Sequence, residues 1–547
     1  MGDASRIESL EPGLVEALER AGAYPGDAGA AHGIQHIQTH LSHVFLTRGH
    51  VYKIHKAVRF PFVDFGLRSA RNEDSLRELR LNRRLAPEIY LGLAPVETRG
   101  GAVRIGATRE SLAPAGDDGT VPEHCVVMVR LSEGRDALSL LQRGELGPGQ
   151  IDAIAEVVAN FHRGHGLGTP APWSAAEWLE RIGAPVRESF SEIADAAALA
   201  TRGRAALARA EDFLAGNSGR FEARRQAGRA VDAHGDLHLQ HVWFERAEGP
   251  PLAIDCLEFR SDYREIDAAS EVAFLAMDLA YRGRRDLGER FLRRYAEAMD
   301  DYDLYGVVDF FIAYRAAVRA KVAALASRDA GVPESQREAA AASAERHLTL
   351  AETALAEPAP GAVVALAGMV GTGKSTVARA LADDLGGVVI ASDRVRKRQA
   401  KLADSARGHG ELYTDERTDR TYAGLRERAL PVLRSGRTAI LDATYARAAL
   451  RGELLRWVAK EGIRAFLVET TCAAPVALAR LEARARAGTD PSDAGPELYE
   501  ASARGYESPA EWPADARASI ATDAPSWRAD VIALARRIST GATQKTV

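Results

Sequence analysis

The feature that most constrains the fold is a glycine-rich segment that follows a short apolar run. Residues 363–367 read VVALA, and the next nine, GMVGTGKST, satisfy the pattern G-x-x-x-x-G-K-[ST]. A helical pattern, VARALADDL, follows directly. Glycines let successive backbone N–H groups turn toward phosphate oxygens, and the helix N-terminus adds its positive end. The segment predicts a strand, a phosphate-binding loop and a helix, with nucleotide contacts from Gly368, Gly371, Thr372, Gly373, Lys374, Ser375 and Thr376.

Two acidic residues follow strand-like runs downstream of this loop. Asp393 follows VVIAS, and Asp442 ends TAILD. Lys374 is expected to reach the β- and γ-phosphates, while the Ser375 hydroxyl binds Mg²⁺. Carboxylates at the ends of parallel strands lie near such a loop, so Asp393 is expected to accept a proton from a hydroxyl and Asp442 to hold or orient Mg²⁺. A simple helix-cap role is the alternative for each aspartate, and a solvated helix face is the alternative for the basic run RVRKR, residues 394–398.

A third group of charged residues lies in RLEARARAG, residues 480–488. Arg480 and Arg484 are four positions apart, so they share one face of a helix. A lid helix that brings guanidinium groups over a transferred phosphate has this pattern. An arginine-rich surface helix is the alternative.

With these motifs, residues 362–510 resemble the small P-loop kinases that include polynucleotide 5′-kinases, gluconate kinases, chloramphenicol phosphotransferases and zeta toxins. The resemblance rests on GMVGTGKST, ASDRVRK, LDATY and the arginine-bearing lid. It implies transfer of phosphate from ATP, with Mg²⁺, to a hydroxyl group. It also implies that Asp393 and Arg396 act on the acceptor.

Composition limits the class of protein. The chain has 547 residues, with 71 Lys and Arg against 76 Asp and Glu, so its net charge is −5 and it is no global polycation for nucleic acid. The apolar share of 46% and the charged share of 27% are typical of globular proteins. The three cysteines form no CxxC pair, which disfavours a disulfide framework and a structural zinc site. Without a signal segment or an apolar run of membrane length, we expect a cytoplasmic protein with no membrane partner.

The chain predicts two domains of different class. Residues 43–56 have the pattern of a β-hairpin, and a helix is expected over 69–85. Mostly helical segments are expected over 134–225 and 264–356, with strand signals at 230–244 and 251–259 between them. A small β-rich lobe and a helical lobe would therefore form an α+β domain over residues 1–350. Two prolines make residues 351–361 the linker. Alternating β and α patterns over 362–547 predict an α/β domain with a parallel sheet.

A second constellation lies in HGDLHLQH, residues 234–241, and in LAIDCLEF, residues 252–259. Asp236 and Asp255 each follow a short apolar run. One could take a proton from a hydroxyl while the other binds Mg²⁺. The three histidines could instead hold zinc, but no cysteine or further histidine cluster completes such a site.

Residues 30–345 resemble aminoglycoside phosphotransferases and related small-molecule kinases with the protein-kinase-like fold, through HGDLHLQH and the aspartate of LAIDCLEF. The resemblance implies that Asp236 is the catalytic base and that Asp255 binds the metal. His241 takes the place of the family's metal-binding asparagine. Lys53 of VYKIHK matches the phosphate-binding lysine, with Lys56 as a rival, and Glu78 matches the helix glutamate that pairs with it.

The whole chain resembles bacterial two-domain fusions of an aminoglycoside phosphotransferase-like domain with an AAA-type P-loop kinase. The resemblance implies an ATP-dependent kinase with two potential nucleotide sites and a small-molecule or nucleotide acceptor. One alternative is a P-loop kinase regulated by an N-terminal pseudokinase or sensor domain. Others are a polynucleotide 5′-hydroxyl kinase, suggested by RVRKR, and an antibiotic resistance enzyme. Oligomeric state and acceptor identity stay open.

Overall fold

The structure is a computed structural model. It describes residues 7–60, 63–115, 121–195, 198–246, 249–403, 406, 410–487 and 495–540. The elements of the first part of the chain are α1 Leu14–Leu18, β1 Gln35–Gln38, β2 Ser42–Leu46, β3 His50–His55, β4 Arg59–Phe60, β5 Val63–Asp64, α2 Arg68–Asn82, β6 Tyr90–Arg99, β7 Ala102–Ile105, β8 Glu123–Val129, α3 Ala137–Gln142, α4 Pro148–Gly164, α5 Ala175–Ala194, α6 Ala200–Gly216 and α7 Ser218–Gln226.

The elements that follow in the chain include those that carry both candidate sites. They are β9 Ala230–Asp232, β10 Val242–Trp243, β11 Leu252–Ala253, β12 Glu265–Asp267, α8 Ala268–Tyr281, α9 Arg285–Met299, α10 Val308–Ala326, α11 Glu334–Ala354, β13 Ala362–Ala367, α12 Lys374–Leu385, β14 Val388–Ala391, α13 Ser392–Gln399, α14 Asp415–Arg434, β15 Ala439–Asp442, α15 Ala448–Glu461, β16 Arg464–Thr471, α16 Ala474–Ala487, α17 Tyr499–Arg504, β17 Arg517–Ala521 and α18 Trp527–Thr540. Among the described residues, no helix is both long enough and apolar enough to cross a membrane.

The chain forms two compact units. The first unit combines Met1–Ala184 with Phe221–Asp278, and the second combines Pro185–Arg220 with Leu279–Val547. Helices α6 and α9 to α11 therefore belong to the second unit. Helices α9 to α11, which precede the linker, therefore lie in the same compact unit as the P-loop region.

A six-stranded antiparallel sheet organises the first unit, in the order β1-β2-β3-β8-β6-β7. The hairpin expected at 43–56 is present as β2 and β3. Tyr52 and Ile54 are buried on one face of β3, so the intervening Lys53 lies on the other face. That second face packs against α2, where Leu79 joins the core with Val126, the register partner of Lys53. This register places Lys53 opposite the helix that bears the expected glutamate.

A five-stranded parallel sheet organises the C-terminal part of the second unit, in the order β14-β15-β13-β16-β17. All six residues of β13 are buried, as expected for a central parallel strand covered on both faces. The predicted parallel α/β architecture is confirmed. Since parallel strands end at the same edge, the segments that follow β13, β14 and β15 lie side by side, and ligands in such sheets bind at that edge.

Ionic contacts join the helices before the linker to this sheet within the second unit. The buried Arg437 guanidinium donates to the carboxylates of Glu289 and Asp309 at 2.7–2.9 Å. The Tyr302 hydroxyl donates to the Val389 carbonyl in β14 at 3.2 Å. Strand β14 is an edge strand, and the Tyr302 hydroxyl bonds to one of its backbone carbonyls.

Candidate functional site

The loop between β13 and α12 has a backbone that requires glycine. Gly368, Gly371 and Gly373 have φ values of 140°, 80° and 85°, which side-chain-bearing residues rarely adopt. A Cβ atom at Gly371 would lie 2.8 Å from the Ala477 carbonyl oxygen. The left-handed Gly373 immediately precedes the first residue of α12. The predicted strand, phosphate-binding loop and helix are therefore formed, with the loop at the N-terminus of a 12-residue helix.

Lys374 points back into the loop. Its ammonium group donates to the carbonyl oxygens of Gly368 and Met369 at 3.0 and 2.7 Å. Burial lowers the pKa of Lys374 to about 8, and the negative charges of Asp442 and Asp393 oppose this shift. In these two contacts the cation is held by backbone carbonyl dipoles.

The two predicted aspartates lie close enough to this lysine to interact with it. Asp442 ends β15 and is 8% exposed; burial raises its carboxyl pKa, against a hydrogen bond from Ser375. Asp393 lies in the first turn of α13, whose cap position is occupied by Ala391, so the simple N-cap alternative for Asp393 is wrong. Asp393 interacts electrostatically with both Lys374 and Asp442. The sheet edge thus brings together the expected cation, metal-binding pair and base.

Arg396 lies in a different environment from the one expected for a free acceptor-binding side chain. It is 9% exposed, donates to the Leu412 carbonyl at 2.8 Å and lies over the Tyr413 ring at 4.6 Å. Its Nε atom is buried without a hydrogen-bond partner among the described residues. Arg396 and Asp393 both influence the pKa of Tyr422, which burial raises. One guanidinium edge therefore holds the 412–413 segment, and the other has an unsatisfied donor.

The basic run RVRKR is used inside the second unit. Arg394 Nε lies 3.3 Å from a Glu297 carboxylate oxygen, and Arg398 donates to the Ala298 carbonyl at 3.2 Å. Lys397 is 2% exposed. The alternative of a solvated helix face is therefore wrong: the run fastens α13 to the C-terminal end of α9.

Arg480 of α16 supports the loop from behind. Its guanidinium donates to the hydroxyl and carbonyl oxygens of Thr522 at 2.7 and 3.0 Å. The Thr522 hydroxyl in turn donates to the Thr372 carbonyl at 2.8 Å. Thr522 follows β17 and was missed by sequence reasoning, because no local motif marks it.

Arg484 lies one turn further along the same helix. It lowers the pKa of Lys374 electrostatically, so the two cations share one neighbourhood. The end of the expected lid, residue 488, lies outside the described residues.

In the first unit, the expected lysine and glutamate are in contact. Lys53 donates to Glu78 at 2.9 Å, and its ammonium lies 3.8 Å from an Asp255 carboxylate oxygen. Burial opposes the charge of Lys53, but Glu78, Glu258 and Asp255 together raise its pKa well above the usual value. The rival Lys56 instead donates to exposed groups at the end of β1. Of the two lysines, only Lys53 makes the expected contact.

Histidines surround Asp236. One oxygen of its carboxylate lies 3.6 Å from His238 Nε2 and 3.5 Å from His241 Nδ1. Burial opposes ionisation, but the nearby rings of His238 and His241 hold the Asp236 pKa below its usual range. The other nitrogen of His241 lies 3.5 Å from Asp255 Oδ2. Asp236, His238 and His241 are close enough together to form a potential metal-binding group.

Two buried acids of α8 hold this loop. Glu271 accepts the backbone N–H groups of His234 and Gly235, and Asp278 accepts that of Leu239 at 3.1 Å. Sequence reasoning missed both residues. The signal that could have found them is a pair of acids seven positions apart in an otherwise apolar helix, EVAFLAMD.

Glu258 is a further residue that sequence reasoning missed. It is 7% exposed, and burial raises its pKa well above the usual value despite the attraction of Lys53. It lies three positions after Asp255. The first site therefore contains an additional carboxyl group that interacts electrostatically with its cation.

The parallel sheet and the loop around Lys374 define a P-loop nucleotide-binding protein, and residues 363–509 match the family model described as an AAA domain. Over most of its length, the chain is 33% identical to the uncharacterized protein Rv2004c of Mycobacterium tuberculosis, across 84% of this chain and 88% of the relative. The same figures hold for the uncharacterized protein Mb2027c of Mycobacterium bovis. The chain belongs to the family of these mycobacterial proteins.

Two solved structures are similar to parts of this chain. A choline kinase from Cryptosporidium parvum is 12% identical, covers 61% of this chain and 93% of its own length, and has a TM-score of 0.37. A gluconokinase from Sinorhizobium meliloti is 19% identical, covers 34% of this chain and 95% of its own length, and has a TM-score of 0.25.

Proposed function

We propose that the protein is an ATP-dependent kinase whose P-loop site transfers the γ-phosphate of ATP to a hydroxyl group of a small molecule or nucleotide. The observation that carries this proposal is the meeting of three groups at one sheet edge. Lys374 lies in the glycine loop, Asp442 ends the neighbouring strand and is hydrogen-bonded to Ser375, and Asp393 lies in the first turn of the helix after the next strand.

The residues of the chain supply binding, orientation and proton transfer. Backbone N–H groups of the loop and Lys374 hold the β- and γ-phosphates. The donor set of Ser375 and Asp442 consists of oxygens, which suits Mg²⁺, and the ion would neutralise charge on the phosphates. Asp393 accepts the hydroxyl proton as the acceptor oxygen bonds to the γ-phosphorus. The bond between that phosphorus and the β,γ-bridging oxygen breaks, which yields ADP and a phosphate ester.

Arginines complete this proposed site. The buried Arg396 Nε–H, unsatisfied among the described residues, could donate to an acceptor or a phosphate oxygen. Arg484 contributes positive charge near Lys374. Guanidinium groups placed where charge develops stabilise phosphoryl transfer.

We further propose that the first unit contains a second nucleotide site, in which Lys53 binds phosphate and Asp236 is the base. Support comes from the contact of Lys53 with Glu78 and from the position of Asp255 beside both Lys53 and His241. A sensor domain without turnover would use the same binding residues but would not need Asp236.

The test is transfer of labelled γ-phosphate to a pool of small hydroxyl compounds and nucleotides. Asp393→Asn should lower kcat by about 10²–10⁴-fold with ATP affinity retained, because only the proton acceptor is lost. Asp419→Asn, an exposed position on α14, is the matched control and should leave kcat unchanged. Full turnover in Asp393→Asn would contradict the proposed base. Asp236→Asn in the same assay separates a second active site from a sensor.

A further inference from the structure

The hydrogen bonds of His241 fix which of its nitrogens can bind an ion. Its Nδ1 atom lies 2.9 Å from the carbonyl oxygen of Asp236. A carbonyl can only accept, so Nδ1 carries the hydrogen in this contact. In the neutral ring, Nε2 then has a free lone pair. That atom faces Asp255 Oδ2 at 3.5 Å.

His238 has the opposite arrangement. Its Nδ1 atom accepts the backbone N–H of Gln240 at 3.3 Å, so Nε2 carries the hydrogen of the neutral ring. That nitrogen faces Asp236 at 3.6 Å. The N–H of His238 therefore faces the Asp236 carboxylate, whereas the N–H of His241 donates to the Asp236 backbone carbonyl. The lone pair of His238 accepts the Gln240 N–H, whereas the lone pair of His241 Nε2 faces Asp255.

The spacing of His241 Nε2 and Asp255 Oδ2 fits one ion. Ligand atoms about 2.0–2.2 Å from a metal lie about 3–3.5 Å apart at octahedral to tetrahedral angles. A ligating histidine usually donates its other N–H to a carbonyl or carboxylate, which fixes the ring, and His241 makes this bond to Asp236. The Asp255 backbone is left-handed, with φ 61°, a strained conformation of the kind found at functional sites.

The two oxygens of Asp255 have separate neighbours. Oδ1 lies 3.8 Å from the Lys53 ammonium, whereas Oδ2 lies beside His241. One carboxylate can therefore pair with the lysine through one oxygen and with an ion through the other. The residues present fit a divalent ion, and the donor set is mixed nitrogen and oxygen.

We propose that His241 Nε2 and Asp255 Oδ2 form a divalent-ion site that selects first-row transition ions, with Mn²⁺ as the probe, over Mg²⁺. Imidazole nitrogen suits transition ions, whereas Mg²⁺ prefers oxygen donors throughout. This inference rests on the proposed nucleotide site of the first unit. It separates that site from the P-loop, where Ser375 and Asp442 offer only oxygen.

The experiment is a titration of the full-length protein with Mn²⁺, followed by electron paramagnetic resonance, without nucleotide or acceptor and with Mg²⁺ as competitor. The wild type should bind Mn²⁺ at least about tenfold more tightly than Mg²⁺. The spin echo of bound Mn²⁺ should show modulation from a directly bonded nitrogen. His241→Asn should remove this nitrogen signal and bring the two affinities together, since an amide oxygen replaces the imidazole.

Two further variants complete the test. His32→Asn makes the same change at an exposed position and should leave both readouts unchanged. Asp255→Asn, checked for folding by thermal unfolding, should weaken Mn²⁺ binding while retaining the fold. Equal affinity for the two ions in the wild type, or a nitrogen signal that survives in His241→Asn, overturns the inference. Because no nucleotide is present, a failed transfer assay leaves this result standing, and a failed titration leaves the P-loop proposal standing.

Discussion

The two candidate sites hold their lysines in opposite ways. Lys53 is paired with the buried carboxylate of Glu78 and lies near Asp255, and the carboxylates raise its pKa. Lys374 is held by two carbonyl oxygens, and burial lowers its pKa to about 8. The first cation is already neutralised by the protein. The second donates to neutral carbonyls, and Asp442 and Asp393 only partly offset the effect of burial on its charge.

Because of this difference, we expect the loss of each lysine to affect folding and ligand binding to different extents. A buried ion pair leaves an uncompensated charge when one partner is removed, which is costly for folding. Lys374 donates its hydrogen bonds to neutral carbonyls, and the pKa of the nearby Asp442 is already raised by burial, so this carboxyl can take up a proton when the lysine is lost. We therefore expect Lys53 to matter for both fold and binding, and Lys374 to matter for binding almost alone.

The largest effect expected from this comparison is on the stability of the first unit. Lys53→Met should destabilise it by about 3–5 kcal/mol at neutral pH, because Glu78, 1% exposed, loses its cation. Lys374→Met is the matched variant and should change the stability of the second unit by less than about 1 kcal/mol. Hydrogen exchange, followed peptide by peptide, resolves the two units.

The pH dependence checks the cause of the Lys53 effect. The pKa of Glu78 is raised by burial in the intact protein, so in Lys53→Met this carboxyl should take up a proton readily as pH falls. The cost of the substitution should therefore be smaller at pH 5 than at pH 7. An equal cost at both values would point to lost packing rather than to a buried charge.

The next effect concerns nucleotide affinity at the P-loop. Lys374→Ala should weaken ATP binding there by about 100-fold, since a charge-assisted contact to phosphate contributes about 1.5–3 kcal/mol. Calorimetric titration measures it directly. If both sites bind nucleotide, Lys374→Ala should leave one binding event intact, and the double variant with Lys53→Ala should leave none. Unchanged affinity in Lys374→Ala would contradict the P-loop assignment.

The lowered pKa of Lys374 predicts a pH dependence of that affinity. Below pH 8 the lysine is charged in the free protein; above it the lysine is neutral and must take up a proton when phosphate binds. By linkage, ATP affinity at the P-loop should fall by about tenfold between pH 7 and pH 9. Lys374→Arg keeps its charge throughout this range and should flatten the profile. An equally steep profile in that variant would assign the titration to another group.

The structural features that can be predicted from the sequence are those encoded by short local patterns. The P-loop, the hairpin that bears Lys53 and the parallel strands all follow from short patterns of glycine and apolar residues. The contact of Lys53 with Glu78 came from a family resemblance that names both positions. These features needed no knowledge of distant pairing.

The features that sequence reasoning missed depend on distant partners. Arg437 and Glu289 are 148 residues apart, and no periodic pattern links them, yet their ion pair fastens α9 to the P-loop sheet. The same holds for Arg394, whose charge is typical of a solvated or nucleic-acid-binding face but which lies 3.3 Å from a Glu297 carboxylate oxygen. The sequence of an arginine-rich run is the same whether its side chains contact water, phosphate or buried acids, so the sequence does not identify these partners.

The smallest expected effect concerns the support of the glycine loop that holds Lys374. Arg480→Ala removes the two hydrogen bonds to Thr522, whose hydroxyl supports the Thr372 carbonyl in the loop. We expect ATP affinity to fall by about threefold, because the loop keeps its own backbone contacts and loses only indirect support. Arg486→Ala, on the exposed side of the same helix, is the control and should change nothing. If Arg480→Ala weakened binding as strongly as Lys374→Ala does, Arg480 would have to contact the nucleotide itself. The nucleotide would then be bound by two cations, Lys374 and Arg480, rather than by Lys374 alone.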